Sequence, residues 1–588
     1  MATTVADQLV AGLIEAGVQR IYGIVGDSLN PVVDAVRRTG GSKQGGIDWI
    51  HVRHEEAAAF AASAEAQTTG RIAACAGSCG PGNLHLINGL YDAQRSGAPV
   101  VAIASHIPSS EIGMGYFQET HPDRLFVECS LFRELISTPE QAPRVIRSAI
   151  QAAGAGGGVS VITLPGDIAS QTAAAAMDPL AIPSHPAITP PKEVIDRLAT
   201  AINDAEKVAI FAGYGVAGAH DEVVALAEKI GAPIGHSLRG KEFIQYDNPY
   251  DVGMTGLLGY GAAHAGMHDA DLLLMLGTDF PYSQFLPEKV TTAQVDIDPT
   301  KIGRRTAVQI PVHGDVRSTL QAIEPLVARK SDRKYLDRWL RNHEKAMKDV
   351  VGAYSGKKAA DLVPIHPEYA ASILDDVADD DAIFTTDTGM CNVWTARYIN
   401  PTGKRKFIAS MLHGSMANAL PQAMGAQMAS PGRQVISISG DGGLSMLLSE
   451  ILTVAMYKIP VKIVLFDNST LGMVKAEMLV DGYPDYGVDV PHADYAALAE
   501  AAGFWGRKVE QPGDIRAALE AAFAVDGPAL VQLVTDPDAL SVPPKISGSQ
   551  ISGFAMGLSK VVLNGGAGEA VRMAKSNLRN IPKPHTTR

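Results

Sequence analysis

Residues 440–470, GDGGLSMLLSEILTVAMYKIPVKIVLFDNST, carry the most specific chemistry in the chain. An apolar run ends at Ser439, Gly440-Asp441-Gly442 turns the chain, a helical pattern follows, and a second apolar run ends at Asp467-Asn468. In a parallel sheet both strands end on one edge, so Asp441 and Asn468 are expected side by side where ligands of α/β sheets bind. A carboxylate, an amide oxygen and a nearby carbonyl make a hard oxygen set. It suits Mg²⁺ that keeps part of its shell for phosphate. Gly442 and Gly443 let backbone approach such phosphates, and a helix start favours anions. Alone, Gly-Asp-Gly is a common turn. The later Asp-Asn, with a helix and a strand between, makes it specific.

Residues 51–60, HVRHEEAAAF, pose a second question. Acidic residues in a first helical turn complement the helix dipole. Neighbours on a helix point about 100° apart, however, so Glu55 and Glu56 cannot share one environment. One faces solvent; the other faces a dry interior and needs a partner or a task.

The elements that position these residues follow from the apolar runs. Strands are predicted at 71–75, 99–104, 159–164, 207–212, 271–276, 383–386, 434–439 and 461–466, with helical patterns between. Nearly continuous apolar strands are covered on both faces, which predicts α/β domains with doubly wound parallel sheets. The proline-rich stretch 178–192 and the charged stretch 328–365 read as connections. The expected blocks are 1–182, 183–340 and 341–540, with a tail at 541–588. A chain of 588 residues needs several cores. Net charge of −13 without a long basic block argues against nucleic acid as a partner. Cys75, Cys79, Cys129 and Cys391 form no metal-ligand spacing, which suits a reducing, cytoplasmic setting. Residues 5–18 read as an amphipathic helix rather than a leader, and no apolar run is long enough to span a membrane.

The 440–470 spacing resembles the cofactor motif of thiamine diphosphate (ThDP) enzymes, with Asp467 at the usual first Asn position. Arg53-His54-Glu55 resembles the site of the glutamate that serves the aminopyrimidine of a partner subunit's cofactor. HGSMANALP at 413–421 resembles the loop that holds ThDP bent. The stretches 76–122 and 238–259 extend the likeness over the whole chain, and the sequence is identified as a member of the ThDP-dependent pyruvate oxidase and acetolactate synthase family. Within that family it resembles the quinone-linked branch, pyruvate dehydrogenase (quinone).

That resemblance implies ThDP, Mg²⁺ and FAD. Asp441, Asn468 and the Thr470 carbonyl would ligate the metal. Glu55, Gly414, Ser415, Met416, Asp441, Gly442, Gly443, Asn468, Ser469, Thr470, Leu471, Gly472, Met473 and Val474 would hold ThDP, with Met416 between its rings. Thr255, Gly256, Leu257, Leu258, Thr278, Asp279, Phe280, Pro281, Tyr282 and Asp296 would hold FAD. The pattern GYGVAG at 213–218 also fits a dinucleotide turn but lacks the acidic residue expected further on. His85, Phe117 and Gln118 would line the reacting carbon, and Glu477 would manage protons. Met473 stands where the quinone-linked branch has Phe, and Glu477 where acetolactate synthases have Trp.

The activity implied is oxidation of pyruvate to acetate and CO₂, with electrons passing through FAD to a membrane quinone. A homo-oligomer follows, at least a dimer and by resemblance a tetramer. Residues 551–563, ISGFAMGLSKVVL, then suggest a tail that binds the lipid surface, placing the enzyme peripherally on the cytoplasmic face of the cell membrane. The rival readings are keto-acid carboligation, an oxygen-linked oxidase making acetyl phosphate, and a non-catalytic cofactor-binding regulator.

Overall fold

Three parallel sheets follow one another along the chain. In the computed structural model, residues 3–540 except 185, 350, 357 and 358 are described, together with Met573, Ser576 and Asn577. The first sheet runs Asp48–His51, Arg20–Gly23, Ala73–Gly77, Val100–His106, Val159–Pro165, Phe132–Leu135, every neighbour parallel. The third runs Lys406–Ala409, Ile383–Thr386, Val435–Gly440, Lys462–Asp467, Ala529–Val534, Trp505–Val509, again all parallel. Counted in chain order, both have the strand sequence 2-1-3-4-6-5. The central sheet runs Tyr260–Gly261, Asp251–Met254, Ile234–His236, Val208–Ala212, Leu272–Leu276, Thr291–Asp296, Ile310–His313, and only its first pair is antiparallel. The α/β architecture expected from the apolar runs is the one observed.

Each of the eight predicted strands is present. The largest shift, from 71–75 to Ala73–Gly77, has a simple cause: Arg71 is exposed and the buried run starts at Ile72. Short strands such as Asp48–His51 and Phe132–Leu135 escaped the sequence reading because they lie at sheet edges, only partly covered.

The first and third sheets share one continuous core. Helices Glu55–Thr69 and Ala419–Ala429 pack against each other between them. Both are buried on nearly all sides, as expected for helices without a polar face. Small side chains permit the approach: a Cβ at Gly425 would overlap the Ala61 carbonyl oxygen. The alanine run that follows Glu55-Glu56 is therefore a domain interface.

The described residues of 173–191 carry neither helix nor strand. The charged stretch after 328 is more than a connection. Its helix Lys334–Asp349 buries Trp339 against Val252, Ala262 and Ala263, and Tyr335 donates to the Gly266 carbonyl at 2.7 Å. The predicted amphipathic stretch 551–563 lies outside the described residues. Met573 packs on Leu479 and Leu540, and Asn577 Nδ2 donates to the Asp538 carbonyl at 2.7 Å. No helix among the described residues is long and apolar enough to cross a membrane.

Candidate active site

The third sheet changes winding direction between Ile383–Thr386 and Val435–Gly440, and a cavity opens at the carboxyl ends of these strands. Such switch points are the usual ligand crevices of open α/β sheets. The lining includes Asp387, Met416, Asp441, Gly442, Gly443 and Asn468, with Thr470, Leu471, Gly472, Met473 and Val474 on the facing side. Of the other expected ThDP residues, Gly414, Ser415 and Ser469 lie outside the lining. Gly414 adopts φ 74° and Ala417 φ 67°, so the chain turns sharply on either side of Met416. A Cβ at Gly442 would sit 2.6 Å from Leu471 Cδ2, so glycine there lets the Gly-Asp-Gly turn approach the Leu471 side chain of the cavity lining.

Strand register places Gly440 beside Phe466, so Asp441 faces Asp467 rather than Asn468. Burial, and then the Asp467 carboxylate, push the Asp441 carboxyl above its ordinary range. Asp441 Oδ1 accepts the Gly442 N–H at 3.0 Å, while the buried Oδ2 has no partner. Asp467 is committed elsewhere: Gln532 Nε2 donates to it at 2.7 Å and Ser469 Oγ at 3.1 Å. Asn468 Oδ1 accepts the Thr470 N–H at 3.2 Å. The Thr470 carbonyl accepts the Gly472 N–H at 2.9 Å and keeps its second lone pair. An orphaned carboxylate oxygen, an amide oxygen and a half-used carbonyl fit an oxygen-preferring cation.

Asp387 escaped the sequence reading. Its buried carboxyl accepts the Ala419 N–H at 3.1 Å and lies against Gly443, which ties the helix after the Met416 loop to the Gly-Asp-Gly turn. Burial pushes it up to about 7. The signal was available, because Asp387 follows the predicted strand 383–386 on the same edge as Asp441.

The first sheet gathers a second group at its own carboxyl edge. Glu55, the first residue of its helix, is buried, and its Oε2 lies 2.9 Å from His85 Nδ1. His85 stacks on His54 with centroids 4.3 Å apart. Gln118, at φ 63°, packs its backbone against Gly80, and Cys79 Sγ lies 3.4 Å from its Oε1. Phe117 is 79% exposed beside Met114 and Tyr116. Glu56 does not stand free in solvent as the helix-start reading expected: its Oε1 accepts from Asn88 Nδ2 at 2.7 Å, and Asn88 also donates to Ser415 Oγ at 2.9 Å. The cavity is lined entirely by residues from 367 onward, so Glu55, His85, Phe117 and Gln118 do not line it within one chain.

The expected flavin residues occupy the carboxyl edge of the central sheet. Thr255 is buried with Oγ1 unpartnered, and Gly256 at φ 112° lies against Phe280. Leu257 is exposed, while Leu258 is half-buried against the core of the third domain. Thr278 is buried beside Gly213, and Pro281 is exposed. Asp279 is paired with Arg304 at 3.1 Å and Arg305 at 3.0 Å. Asp296 is buried, accepts the Asp298 N–H at 3.0 Å, and is pushed up by burial. The GYGVAG turn packs Gly215 onto Gly277. Glu477 does not reach the cavity. It stands on the exposed face of Gly472–Val480, raised by partial burial and by Asp481, and its charge is felt by Tyr282 of the central domain.

Family models for the thiamine pyrophosphate enzymes match all three blocks: the N-terminal TPP binding domain at 3–125, the central domain at 195–323 and the C-terminal TPP binding domain at 387–533. The chain belongs to the thiamine pyrophosphate enzyme family. It is 34% identical over 559 residues to a putative thiamine pyrophosphate-containing protein, YdaP, of Bacillus subtilis (strain 168), covering 94% of this chain and 96% of that one. It is 30% identical over 548 residues to a pyruvate oxidase of Lactiplantibacillus plantarum, covering 91% and 89%. It is 30% identical over 546 residues to the large subunit of acetolactate synthase isozyme 2 of Escherichia coli (strain K12), covering 90% and 95%. The cofactor expected of the cavity, ThDP, is therefore the family's own.

Proposed function

We propose that this enzyme oxidatively decarboxylates pyruvate to acetate and CO₂ and passes the electrons through FAD to a membrane quinone. ThDP, when bound, supplies the electron sink for carboxylate loss, and FAD the two-electron acceptor. Asp441, Asn468 and the Thr470 carbonyl would hold Mg²⁺ against the diphosphate. Met416 would fix the ring geometry, and the Gly414 carbonyl would accept the amino hydrogen. Glu55 would hold the proton at the pyrimidine nitrogen. Because Glu55 does not line its own chain's cavity, it would serve the cavity of a second copy, bringing His85, Phe117 and Gln118 over the reacting carbon. The pyruvate-binding site would thus form between chains of a homodimer or homotetramer. The tail at 541–588 would bring the enzyme peripherally to the cytoplasmic face of the membrane.

The observation that carries the oxidative reading is that Leu258, an expected flavin residue, packs on the same third-domain core as Met473 of the cavity lining. This brings the candidate flavin edge of the central domain onto the domain that holds the cavity, as electron transfer between two cofactors requires. A specific observation favours the rival carboligase reading: Gly472-Met473-Val474, the form found in acetolactate synthases, lines the cavity. The test is an anaerobic flavin spectrum of the ThDP- and Mg²⁺-loaded protein. Bleaching by pyruvate, recovery with a soluble quinone, and acetate as product are expected. Persistent yellow colour with acetolactate as product would establish the rival reading.

A further inference from the structure

Glu55 opens its helix behind an extended N-cap, His54 at φ −148°, whose Nδ1 accepts the Glu56 N–H at 3.2 Å but leaves the Arg53 and His54 N–H groups to be held from elsewhere. What fixes the approach comes from the other end of the chain. Glu450, fully buried, directs Oε1 at two successive backbone donors, the Arg53 N–H at 2.9 Å and the His54 N–H at 3.0 Å. Its Oε2 accepts from Thr453 Oγ1 at 2.7 Å, which locks the carboxylate's orientation. Seven residues on, two turns along the same helix face, the Tyr457 hydroxyl accepts the His51 N–H at 2.8 Å and lies 3.4 Å from the Trp49 carbonyl. The helix Glu450–Tyr457 thus grips residues 49–54 at both of its ends. Neither residue lines the cofactor cavity.

We propose that Glu450 is a positioning residue for Glu55, holding from the third domain the backbone that aims the Glu55 carboxylate. The inference rests on the reading of Glu55 as the group that serves ThDP. Hydrogen bonds from backbone N–H to a buried carboxylate are charge-assisted and short, and losing both frees a segment with no other brace on those donors. A direction error of about 1 Å in a proton-holding group is enough to slow its reaction strongly.

The test compares Glu450→Ala, Glu450→Gln and Glu55→Gln in the full-length protein. Three quantities are read: backbone amide exchange over 51–56 without cofactor, ThDP affinity with Mg²⁺, and hydrogen–deuterium exchange at C2 of bound ThDP. For Glu450→Ala, amide exchange at Arg53 and His54 should quicken about tenfold or more, and C2 exchange should slow about tenfold, with ThDP affinity within about threefold of wild type. Glu450→Gln, which keeps one accepting oxygen, should move both rates the same way by less, about threefold. Unaltered amide exchange in either variant, or weakened affinity with unaltered C2 exchange, overturns the proposal. Glu55→Gln separates the two claims. It should abolish C2 exchange while leaving the amides protected. If it leaves C2 exchange intact, the reading of Glu55 fails, whereas a failure of Glu450 alone leaves Glu55→Gln slow.

Discussion

The first and third sheets are wound in the same order, yet their carboxyl edges differ. At the switch point of the third, Asp387 and Gly440-Asp441-Gly442 surround a cavity with an orphaned carboxylate oxygen. At the corresponding edge of the first, Gly23 and Gly77 close up: a Cβ at Gly23 would lie 2.7 Å from the Ala76 carbonyl oxygen, and one at Gly77 2.6 Å from that of Gly82. The chemistry there has moved aside to Glu55, His85 and Gln118. One winding therefore yields a cofactor cradle in one place and a cluster of polar and titratable side chains beside a closed edge in the other. In the proposed function, each is completed by its complement from another copy.

The largest effect that tests this division is Glu55→Gln, for which kcat for CO₂ release should fall by about 10²–10⁴ with the fold intact. If Glu55 merely complements its helix dipole, the rate should hold and the stability shift by only about 0.3–1 kcal/mol. Asp441→Asn should weaken Mg²⁺-dependent ThDP binding by about 100-fold, read by calorimetry. Mixing the two inactive variants under subunit exchange sharpens the comparison. Random pairing makes half the dimers mixed, each with one intact site, so about one quarter of wild-type activity should return. No recovery would mean that each chain completes its own site.

Next in size is the interface between the two sheets. Gly425→Ala would force a Cβ into the Ala61 carbonyl between buried helices, and should cost about 1–3 kcal/mol in unfolding free energy. Gly432→Ala, where nothing lies within 4 Å of the added atom, should stay within about 0.5 kcal/mol. Equal effects would mean that the helix contact is not the close one described.

These same regions show what a sequence can and cannot disclose. Asp441 and Asn468 were legible because a strand-end rule and a spacing place them locally, whereas Met416 and Gly472 to Val474 were named only through the family resemblance; all line the cavity. Asp387 obeys the same rule, but Thr386-Asp387-Thr388 has no spaced companion to mark it. Glu450 and Asn88 were invisible for a different reason. Their partners, at Arg53 and Ser415, lie in other domains, and periodicity reports only on neighbours along one element. The register that sets Asp441 beside Asp467 depends on a one-residue offset between strands, which the apolar runs do not fix.

A pH-dependent effect of similar size concerns a charge at the same interface. Asp92, on the helix Pro81–Ser96, is fully buried. Its Oδ2 accepts from Gln422 Nε2 of the third domain at 3.2 Å, while Oδ1 has no partner. Burial pushes this carboxyl up to about 6 from 3.8. The folded chain therefore binds the proton more tightly than the unfolded chain does. This group's contribution is fully present below about pH 4 and is lost as pH rises to about 6. The full loss is about 3 kcal/mol, at 1.36 kcal/mol per pH unit. Asp92→Asn keeps an accepting oxygen toward Gln422 and cannot ionise. Urea unfolding of both proteins from pH 4 to 7 should show the variant gaining about 1–3 kcal/mol on the wild type across that window, with the gain level above pH 6. A difference independent of pH would mean that Asp92 ionises as freely in the folded chain as in water. The junction between the two sheets would then be wet rather than a dry, fixed platform for the group that one lends and the cavity that the other holds.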